Sequence, residues 1–291
     1  MTEPLTGIQD TTDLTVAPAT LEEWRRIAEW AAAEGWNPGD GDAACFHPTD
    51  PEGFFVGRID GAVVSAVSIV RYGADYAFLG HYLVRPELRG RGIGLATWRA
   101  ALPHAGTRLI GLDAVPAQQG NYERSGFGAA YNTLRYGGVP RRGGGIAPGV
   151  VPVTADLLTA IGAYDRTCFP AERDAFVARW LTAPGHTAYV RLDRGRITGY
   201  GAIRPGREAH RIGPLFADTT EDAEALFDSL TAGLAEGDAV AVDVPEPHRE
   251  GAALAVGRGL TAQFPTTRMY TGPAPAVRTE RVFGVTSLEL G

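Results

Sequence analysis

The two halves of this 291-residue chain show the same order of predicted secondary-structure elements. The first half reads as a short strand, a helix, a strand hairpin, another strand, a helix and a last strand. The same order starts again at Val151 and runs to Val244. Because the chain is longer than one compact domain usually is, the repeat predicts two copies of one α/β (α+β) unit.

A glycine-rich stretch separates the two copies. Residues 139–150 contain two prolines and four glycines, a composition typical of a linker. We therefore predict a first domain at 14–138 and a second at 151–291. Both follow a loose polar segment at 1–13.

Local signals place the elements of the first half. Thr20 is a favourable N-cap, and it precedes a helix whose apolar face is Trp24, Ile27, Ala28 and Ala31. Asp60-Gly61 is the dipeptide most typical of a tight hairpin. The other elements expected here are strands at 14–17, 54–59, 62–70, 77–84 and 109–115, and helices at 94–102 and 121–125.

Charge and cysteine content exclude several classes of protein. The net charge is -7 and the basic residues are mostly scattered, so we expect no nucleic-acid partner. The two cysteines, one in each half, indicate neither a metal site nor a disulfide framework. The chain has no signal-peptide core and no apolar run of about 18 residues. We therefore expect a cytoplasmic protein with no membrane partner.

One turn of the first half carries a clear binding signal. An apolar strand runs through Pro86 into Arg89-Gly90-Arg91-Gly92-Ile93-Gly94, and a helix follows. Such a turn points backbone N–H groups and the positive end of a helix at one place, which suits a pyrophosphate. Its glycines allow close approach and its arginines add charge. Neither the Rossmann nor the Walker A spacing is matched.

This turn resembles the Arg-x-x-Gly-x-Gly signature of the GNAT superfamily of N-acetyltransferases. Leu83-Val84-Arg85-Pro86-Glu87-Leu88 before it, and Asn121-Tyr122-Glu123-Arg124-Ser125-Gly126-Phe127 after it, are also similar to that family. Residues 34–39, 53–57 and 112–127 resemble a bacterial subfamily with an appended C-terminal domain, and residues 211–218, 268–270 and 283–291 would carry that domain. The resemblance implies tandem GNAT-type folds, each with a mixed, mostly antiparallel sheet flanked by helices.

The resemblance also implies an acetyl-CoA-dependent N-acetyltransferase. Such an enzyme transfers the acetyl group directly to a small primary-amine acceptor in a ternary complex, with acetyl-CoA as co-substrate and no metal. By analogy, Leu83 and Val84 pair with the pantetheine arm, the Val84 N–H meets the thioester oxygen, and residues 89–94 hold the pyrophosphate. Tyr122 is the counterpart of the general acid that protonates the departing thiolate.

The general base and the acceptor contacts stay open. His81 has a suitable unperturbed pKa, and Asp113 and Glu34 are rivals for the role of base. Trp36, Asp42 and Glu34 are candidate substrate-binding residues, because carboxylates beside an aromatic ring suit a cationic amine. The family's usual Asn before the tyrosine has no clear counterpart, which leaves the contacts of the CoA arm in doubt.

The second half lacks the phosphate turn. Its counterpart at 212–220 has no Arg-x-x-Gly-x-Gly, and Asp218 puts a negative charge there. We therefore predict a degenerate copy that packs on the first and shapes the acceptor pocket, with one CoA bound per chain. Alternatives are a non-catalytic CoA-binding or CoA-sensing protein and a transferase for longer acyl-CoA. The sequence leaves the acceptor's identity and a homodimer open.

Overall fold

The computed structural model describes residues 13–141 and 143–291. Apart from Asp13, the segment predicted to be loose at 1–13 lies outside the described residues. Within the described residues, thirteen strands join in one sheet, and most neighbouring strands run antiparallel. The expected mixed, mostly antiparallel sheet flanked by helices is confirmed.

The two halves contain the same elements in the same order. Those of the first half are β1 (Thr15–Pro18), α1 (Leu21–Ala33), α2 (Asp42–Phe46), β2 (Phe54–Ile59), β3 (Ala62–Tyr72), β4 (Tyr76–Val84), α3 (Ile93–Ala101), β5 (Leu109–Ala114), α4 (Gln119–Arg124) and β6 (Gly128–Gly138). Those of the second half are β7 (Val150–Pro152), α5 (Leu158–Asp165), α6 (Asp174–Leu181), β8 (Thr187–Asp193), β9 (Arg196–Arg204), β10 (His210–Ala217), α7 (Thr220–Thr231), β11 (Val240–Pro245), α8 (Arg249–Gly257), β12 (Thr261–Tyr270) and β13 (Val282–Gly284). Only β13 has no counterpart in the first half.

The start of α1 shows how local sequence fixes an element. Thr20 Oγ1 accepts a hydrogen bond from the Glu23 N–H at 3.2 Å, and the Glu23 carboxylate accepts one from the Thr20 N–H at 2.9 Å. This reciprocal capping box satisfies two N–H groups that the helix itself leaves free. Trp24 and Ile27 are buried below it, so the predicted cap and apolar face are both observed.

The two halves exchange strands at the centre of the sheet. β12, from the second half, lies between β5 and β6 and pairs with both. On its other edge β6 pairs with β11. One sheet therefore contains strands from both sides of the stretch at 139–150. The division of the chain into two domains at this stretch stays a prediction.

A hydrophobic core shared by both halves joins them further. Trp24, Phe46 and Phe78 belong to the same buried cluster as Phe169 and Trp180. The rings of Phe46 and Trp180 stack with their centroids 5.5 Å apart. Each half buries apolar surface of the other, so this hydrophobic core is complete only when both halves of the chain contribute to it.

The sheet opens between two strands of the first half. β4 and β5 run parallel and pair from Tyr76 opposite Leu109 only as far as Leu79 opposite Leu112. Beyond that point β4 keeps its pairing with β3 and has a free edge toward β5. This gap positions the site described below.

The equivalent gap of the second half is filled. Pairing of β10 with β11 ends at Ile212 opposite Val242. β13 then lies along β10, with Leu215 opposite Gly284, and the Val285 N–H donates to the Asp243 carbonyl at 2.9 Å. The chain's own segment thus occupies the place that stays open in the first half.

Candidate functional site

A pocket of about 400 Å³ lies where β4 and β5 separate. The residues predicted from the sequence that line it are Glu34, Trp36, His81, Leu83, Val84, Arg89, Gly90, Gly92, Ile93, Gly94, Asp113 and Tyr122. Arg91 and Asp42 are not among its lining residues. The predicted cofactor, acid and base residues therefore share one cavity, apart from these two.

The glycine turn gives the start of α3 a left-handed backbone and no side-chain cap. Gly90 and Gly92 have φ values of 76° and 78°, a left-handed conformation that favours glycine. Gly92 is the N-cap of α3 and its cap has no side-chain hydrogen bond; the Ala96 N–H is the first to bond back, to the Gly92 carbonyl at 3.0 Å. Among the described residues, no group accepts a hydrogen bond from the backbone N–H groups of Ile93, Gly94 and Leu95, which lie between Gly92 and Ala96. Free N–H groups at a helix start are what a pyrophosphate needs.

Gly94 allows α3 to lie close to β4. A Cβ added at Gly94 would lie 2.6 Å from the Tyr82 hydroxyl oxygen and 3.0 Å from Val84 Cγ2. A side chain here would therefore require the Tyr82 ring or the Val84 side chain to move.

Arg89 joins the two ends of the pocket. Its Nε donates to the Val84 carbonyl at 3.0 Å, and its Nη2 forms an ion pair with Glu34. About half of the Arg89 side chain is exposed. A residue predicted to bind the cofactor is thus paired with one predicted to bind the acceptor, at the end of α1.

The open edge of β4 presents backbone groups to the pocket. The Arg85 N–H donates to the Val64 carbonyl on β3 at 3.0 Å. Since successive N–H groups of a strand point to opposite edges, the Val84 N–H points to the side of β5. β5 no longer pairs with β4 at this level, so this N–H is available to a bound molecule.

His81 lies at an irregularity of β4. Between Gly80 and Leu83 this strand has one residue more than β3 opposite it, and His81 has a positive φ of 48°. Its Nδ1 is 3.4 Å from Ser68 Oγ, and the rings of Trp24, Phe46 and Trp36 surround it.

The surroundings of His81 keep its imidazole neutral. The side chain is buried, and this burial lowers its pKa below the ordinary value, against the opposing charges of Glu289 and Asp42. A neutral imidazole at a pocket wall is able to accept a proton at physiological pH.

The carboxylate of Asp113 is fully buried. It makes two hydrogen bonds with Arg268 of β12, at 2.9 and 2.7 Å, and no part of the side chain is exposed. Because the residue as a whole is partly exposed, Asp113 lines the pocket with its main chain.

Asp42 is also paired with a residue of the second half. Arg204 donates to it at 2.6 and 3.1 Å and the Gly39 N–H at 2.9 Å. Burial alone would raise the pKa of Asp42, but Arg204 lowers it below the usual value. The Asp42 carboxylate therefore fixes the loop around Gly39 to Arg204 and does not line the pocket.

Arg135 of β6 and two residues of the second half fix the loop that carries Trp36. Arg135 Nη1 and Arg211 Nη1 each donate to the Trp36 carbonyl at 3.0 Å. Asp243 lies between the two arginines, 2.7 Å from Arg135 and 2.6 Å from Arg211. All three side chains are at least 95% buried, so the loop position depends on a buried charge network.

Tyr122 lies on the opposite wall, in α4. Its ring packs against Trp98 and Phe127 at centroid distances of 5.5 and 6.2 Å. Burial raises the pKa of its hydroxyl, and nearby Tyr82 adds to this. The phenol is therefore protonated at physiological pH, as a proton donor has to be.

Among the pocket residues that sequence reasoning missed, five come from distant parts of the chain. They lie in β6, β12 and the segment after β13, and they are Arg135, Phe264, Thr266, Leu288 and Glu289. The stretch at 283–291 supported the resemblance, but no local signal placed it at the site. Only the exchanged strands bring these residues to the pocket.

No helix in the described part of the chain is long and apolar enough to cross a membrane. No three His, Cys, Asp or Glu side chains there are grouped as ligands for a metal ion.

Known proteins resemble this chain in sequence and in structure. The family described as Acetyltransferase (GNAT) family matches residues 21–127, and the one described as Acetyltransferase (GNAT) domain matches residues 161–284. A holothin acyltransferase from Pseudoalteromonas sp. (strain SANK 73390) is 34% identical over 277 residues, which are 95% of this chain and 94% of that protein.

Solved structures share the fold. A putative acetyltransferase from Pyrococcus horikoshii has a TM-score of 0.80 and 20% identity, over 100% of this chain and 99% of that one. A tandem GNAT protein from the clavulanic acid biosynthesis pathway has a TM-score of 0.59 and 18% identity, over 90% and 99%.

These similarities agree with the repeated elements and the pocket. A tandem fold is expected when both halves contain the same elements in the same order, and the predicted fold class is confirmed. The identity and coverage of the holothin acyltransferase extend the likeness to almost the whole chain. The chain therefore belongs to the GNAT family and is a tandem GNAT acyltransferase.

Proposed function

We propose that this enzyme transfers an acetyl group from acetyl-CoA to a small primary amine in a ternary complex. The observation that carries the proposal is the continuity of the pocket. The free N–H groups at the start of α3 and the open edge of β4 line the same cavity as His81 and Tyr122. A molecule with a pyrophosphate at one end and a thioester at the other fits this order of groups.

The donor half of the site follows from the main chain. The turn at Gly90 and Gly92 and the first N–H groups of α3 hold the pyrophosphate, and Arg89 adds a positive charge. Leu83 and Val84 hold the pantetheine arm along the edge of β4. Acetyl-CoA supplies an activated acyl group, and the Val84 N–H stabilises the negative charge that develops on its carbonyl oxygen.

Proton transfers fall to two side chains. His81, neutral because it is buried, takes the proton that the amine nitrogen loses when the C–N bond forms. The C–S bond breaks with its electron pair on sulfur, and Tyr122 donates the proton to that sulfur. Asp113 is a weaker candidate for the base, because Arg268 occupies its carboxylate.

A small acceptor is supported by the relatives. The 34% identical protein is named for acylating holothin, and a structural neighbour belongs to the clavulanic acid biosynthesis pathway. Both names refer to small molecules. The pocket volume of about 400 Å³, shared with the donor arm, also suits a compact acceptor.

Release of free CoA from acetyl-CoA across a panel of amines tests the proposal. Gly92→Glu puts a carboxylate and a left-handed non-glycine residue where the pyrophosphate is expected, so it should abolish both acetyl-CoA binding and turnover. Gly233→Glu is the matched control, because open space surrounds Gly233. Turnover that is the same in wild type and Gly92→Glu would refute the proposal. Propionyl-CoA and longer donors in the same assay define the acyl group.

A further inference from the structure

The segment after β13 crosses from the second half into the pocket of the first. The Val285 N–H is bonded to the Asp243 carbonyl on β11. Farther along, the Tyr72 hydroxyl on β3 donates to the Leu290 carbonyl at 3.1 Å. The N–H groups of Glu289 and Leu290 both donate to Ser287 Oγ, at 3.1 Å each. The segment is therefore anchored at both ends and braced in its middle.

Glu289 is the charged residue that this segment brings to the pocket. It lines the pocket together with His81, and only 7% of it is exposed. Within the described residues, no cation forms an ion pair with its carboxylate. The neighbouring Arg135 and Arg211 are both paired with Asp243.

The charge of Glu289 acts on Arg135 and Arg211, but neither guanidinium forms an ion pair with its carboxylate. A buried carboxylate without a bonded cation is costly. Such a group at a pocket wall is satisfied when a bound molecule brings N–H donors to it. The charge of Glu289 also acts on His81, where it opposes the effect of burial on the imidazole. The two side chains therefore belong to the same end of the cavity.

Three apolar residues from separate parts of the chain line the same pocket as Glu289. They are Trp36, Phe264 and Leu288. The guanidinium of Arg135 lies over the ring of Phe264, 4.7 Å from its centroid, while its donors are already bonded to Asp243 and the Trp36 carbonyl. Trp36, Phe264 and Leu288 therefore offer apolar surface to a molecule bound in this pocket.

We propose that Glu289 binds the amino group of the acceptor, and that the acceptor carries this amino group on a compact apolar body. The assignment rests on the proposed amine acetylation. An acceptor that enters as an ammonium ion loses one proton to solvent and keeps the electron pair of that N–H bond, which forms the C–N bond. A second proton passes to His81, and the thiolate released from the C–S bond takes one from Tyr122. One proton in total goes to solvent.

Titration of amines into the CoA-saturated protein tests the assignment without turnover. Benzylamine supplies an amino group on an apolar body, and spermidine supplies amino groups without one. We expect benzylamine to bind more tightly than spermidine, and Glu289→Gln to weaken benzylamine binding at least tenfold. Glu289→Asp, which keeps the charge on a shorter side chain, should be intermediate. Glu280→Gln, on an exposed residue paired with Arg278, is the matched control and should bind like wild type.

The outcomes separate this inference from the proposed function. Acetyl-CoA affinity is measured for every variant, and it should not change at position 289. Suppose that wild type binds acetyl-CoA. The Glu289 assignment is then wrong, and the donor site stands, if Glu289→Gln binds benzylamine as tightly as wild type does. The same holds if wild type binds benzylamine more weakly than spermidine or not at all. If wild type does not bind acetyl-CoA, the proposed function itself fails. Should Glu289→Gln not fold, Glu289→Asp with affinity equal to wild type overturns the assignment.

Discussion

Gly80 of β4 lies directly against the backbone carbonyl of Glu289, where an added Cβ would be 2.1 Å from the oxygen. Such a contact requires glycine, because real Cβ atoms do not approach an oxygen so closely. Gly80 is also the neighbour of His81 in the chain. One close contact between the two halves therefore sets the position of Glu289 relative to His81.

Gly80→Ala should displace the segment that carries Glu289. We expect a loss of about 1–3 kcal/mol in the free energy of unfolding and a higher KM for the acceptor, with acetyl-CoA affinity unchanged. Urea unfolding and calorimetric titration measure the two effects. Gly233→Ala, with no atom near the added Cβ, should change stability by less than about 0.5 kcal/mol. A Gly80→Ala enzyme with the wild-type acceptor KM would contradict the coupling.

Arg89 and Glu34 should affect acetyl-CoA binding in opposite directions. Arg89→Gln removes a positive charge from the pyrophosphate site, and we expect the Kd to rise about fivefold for this half-exposed group. Glu34→Gln frees Arg89 from its ion pair, so the Kd should fall about twofold. Calorimetry at low and high salt measures both, since screening should shrink the differences. A Kd that rises in both variants would show that the pair itself is needed for binding.

His81→Asn should separate catalysis from binding. Asn tolerates the positive φ of this position better than most residues, so the backbone should be kept while the base is lost. We expect kcat to fall at least about 100-fold with acetyl-CoA affinity unchanged. A stopped assay at saturating acetyl-CoA measures the fall, and retention of more than half of the wild-type kcat would exclude His81 as the base.

The pH profile gives a second test of His81. Burial lowers its pKa against the charges of Glu289 and Asp42, so the imidazole stays neutral and active below its ordinary titration range. The acid limb of kcat/KM should therefore have its midpoint below about 6.5 and should be absent in His81→Asn. An unchanged acid limb in that variant would assign the ionisation to another group.

Asp243 should contribute strongly to the stability of the protein through the buried network that holds the Trp36 loop. Asp243→Asn leaves Arg135 and Arg211 buried with a neutral partner, and we expect a loss of about 3–5 kcal/mol in unfolding free energy. Its pKa is lowered to about 2, against burial, by Arg135 and Arg211. This stabilisation is therefore complete above the unfolded pKa of about 3.9 and is lost as pH falls toward 2.

Urea unfolding at neutral pH compares Asp243→Asn with a surface control. Glu22→Gln breaks the pair between Glu22 and Arg26, whose side chains are 76% and 68% exposed. This control should cost no more than about 1 kcal/mol. Similar losses in the two variants would show that the buried network adds no special stability.

Local features of the fold could be predicted, and long-range ones could not. The Thr20 cap, the Asp60-Gly61 hairpin and the glycine turn at Gly92 depend on neighbours in sequence, and they form as expected. β6 contains Asn132 and several glycines, which disfavour strands. Its extended state depends on β11 and β12 on its two sides. Nothing in residues 128–138 indicates those neighbours.

The same limit applies to the carboxylates of the site. Asp113 is paired with an arginine 155 residues away in the chain, and Asp42 with one 162 residues away. Neither therefore presents a free carboxylate to the pocket. Glu289 is the reverse case, a carboxylate that was not predicted from the sequence but lines the pocket. It carries no local motif, and it becomes part of the pocket only because β12 and β13 bring the end of the second half across the first.

One acetyl-CoA should bind per chain. In the second half β13 fills the gap between β10 and β11, and the N-cap Thr219 accepts from the Asp222 N–H at 3.2 Å at the start of α7. Asp218 adds a carboxylate bonded to Tyr164 at 3.0 Å. No anion site equivalent to the turn at Gly92 is therefore available in this part of the described chain.

Calorimetric titration of acetyl-CoA gives the stoichiometry directly. Gly92→Glu should remove all binding, whereas Thr219→Glu, at the corresponding helix start of the second half, should leave both stoichiometry and affinity unchanged. The reason is that α3 has free N–H groups at its start and α7 has its own cap. A stoichiometry of two, or binding that remains in Gly92→Glu and disappears only in the double variant, would mean that β13 leaves its gap and the second copy still binds CoA.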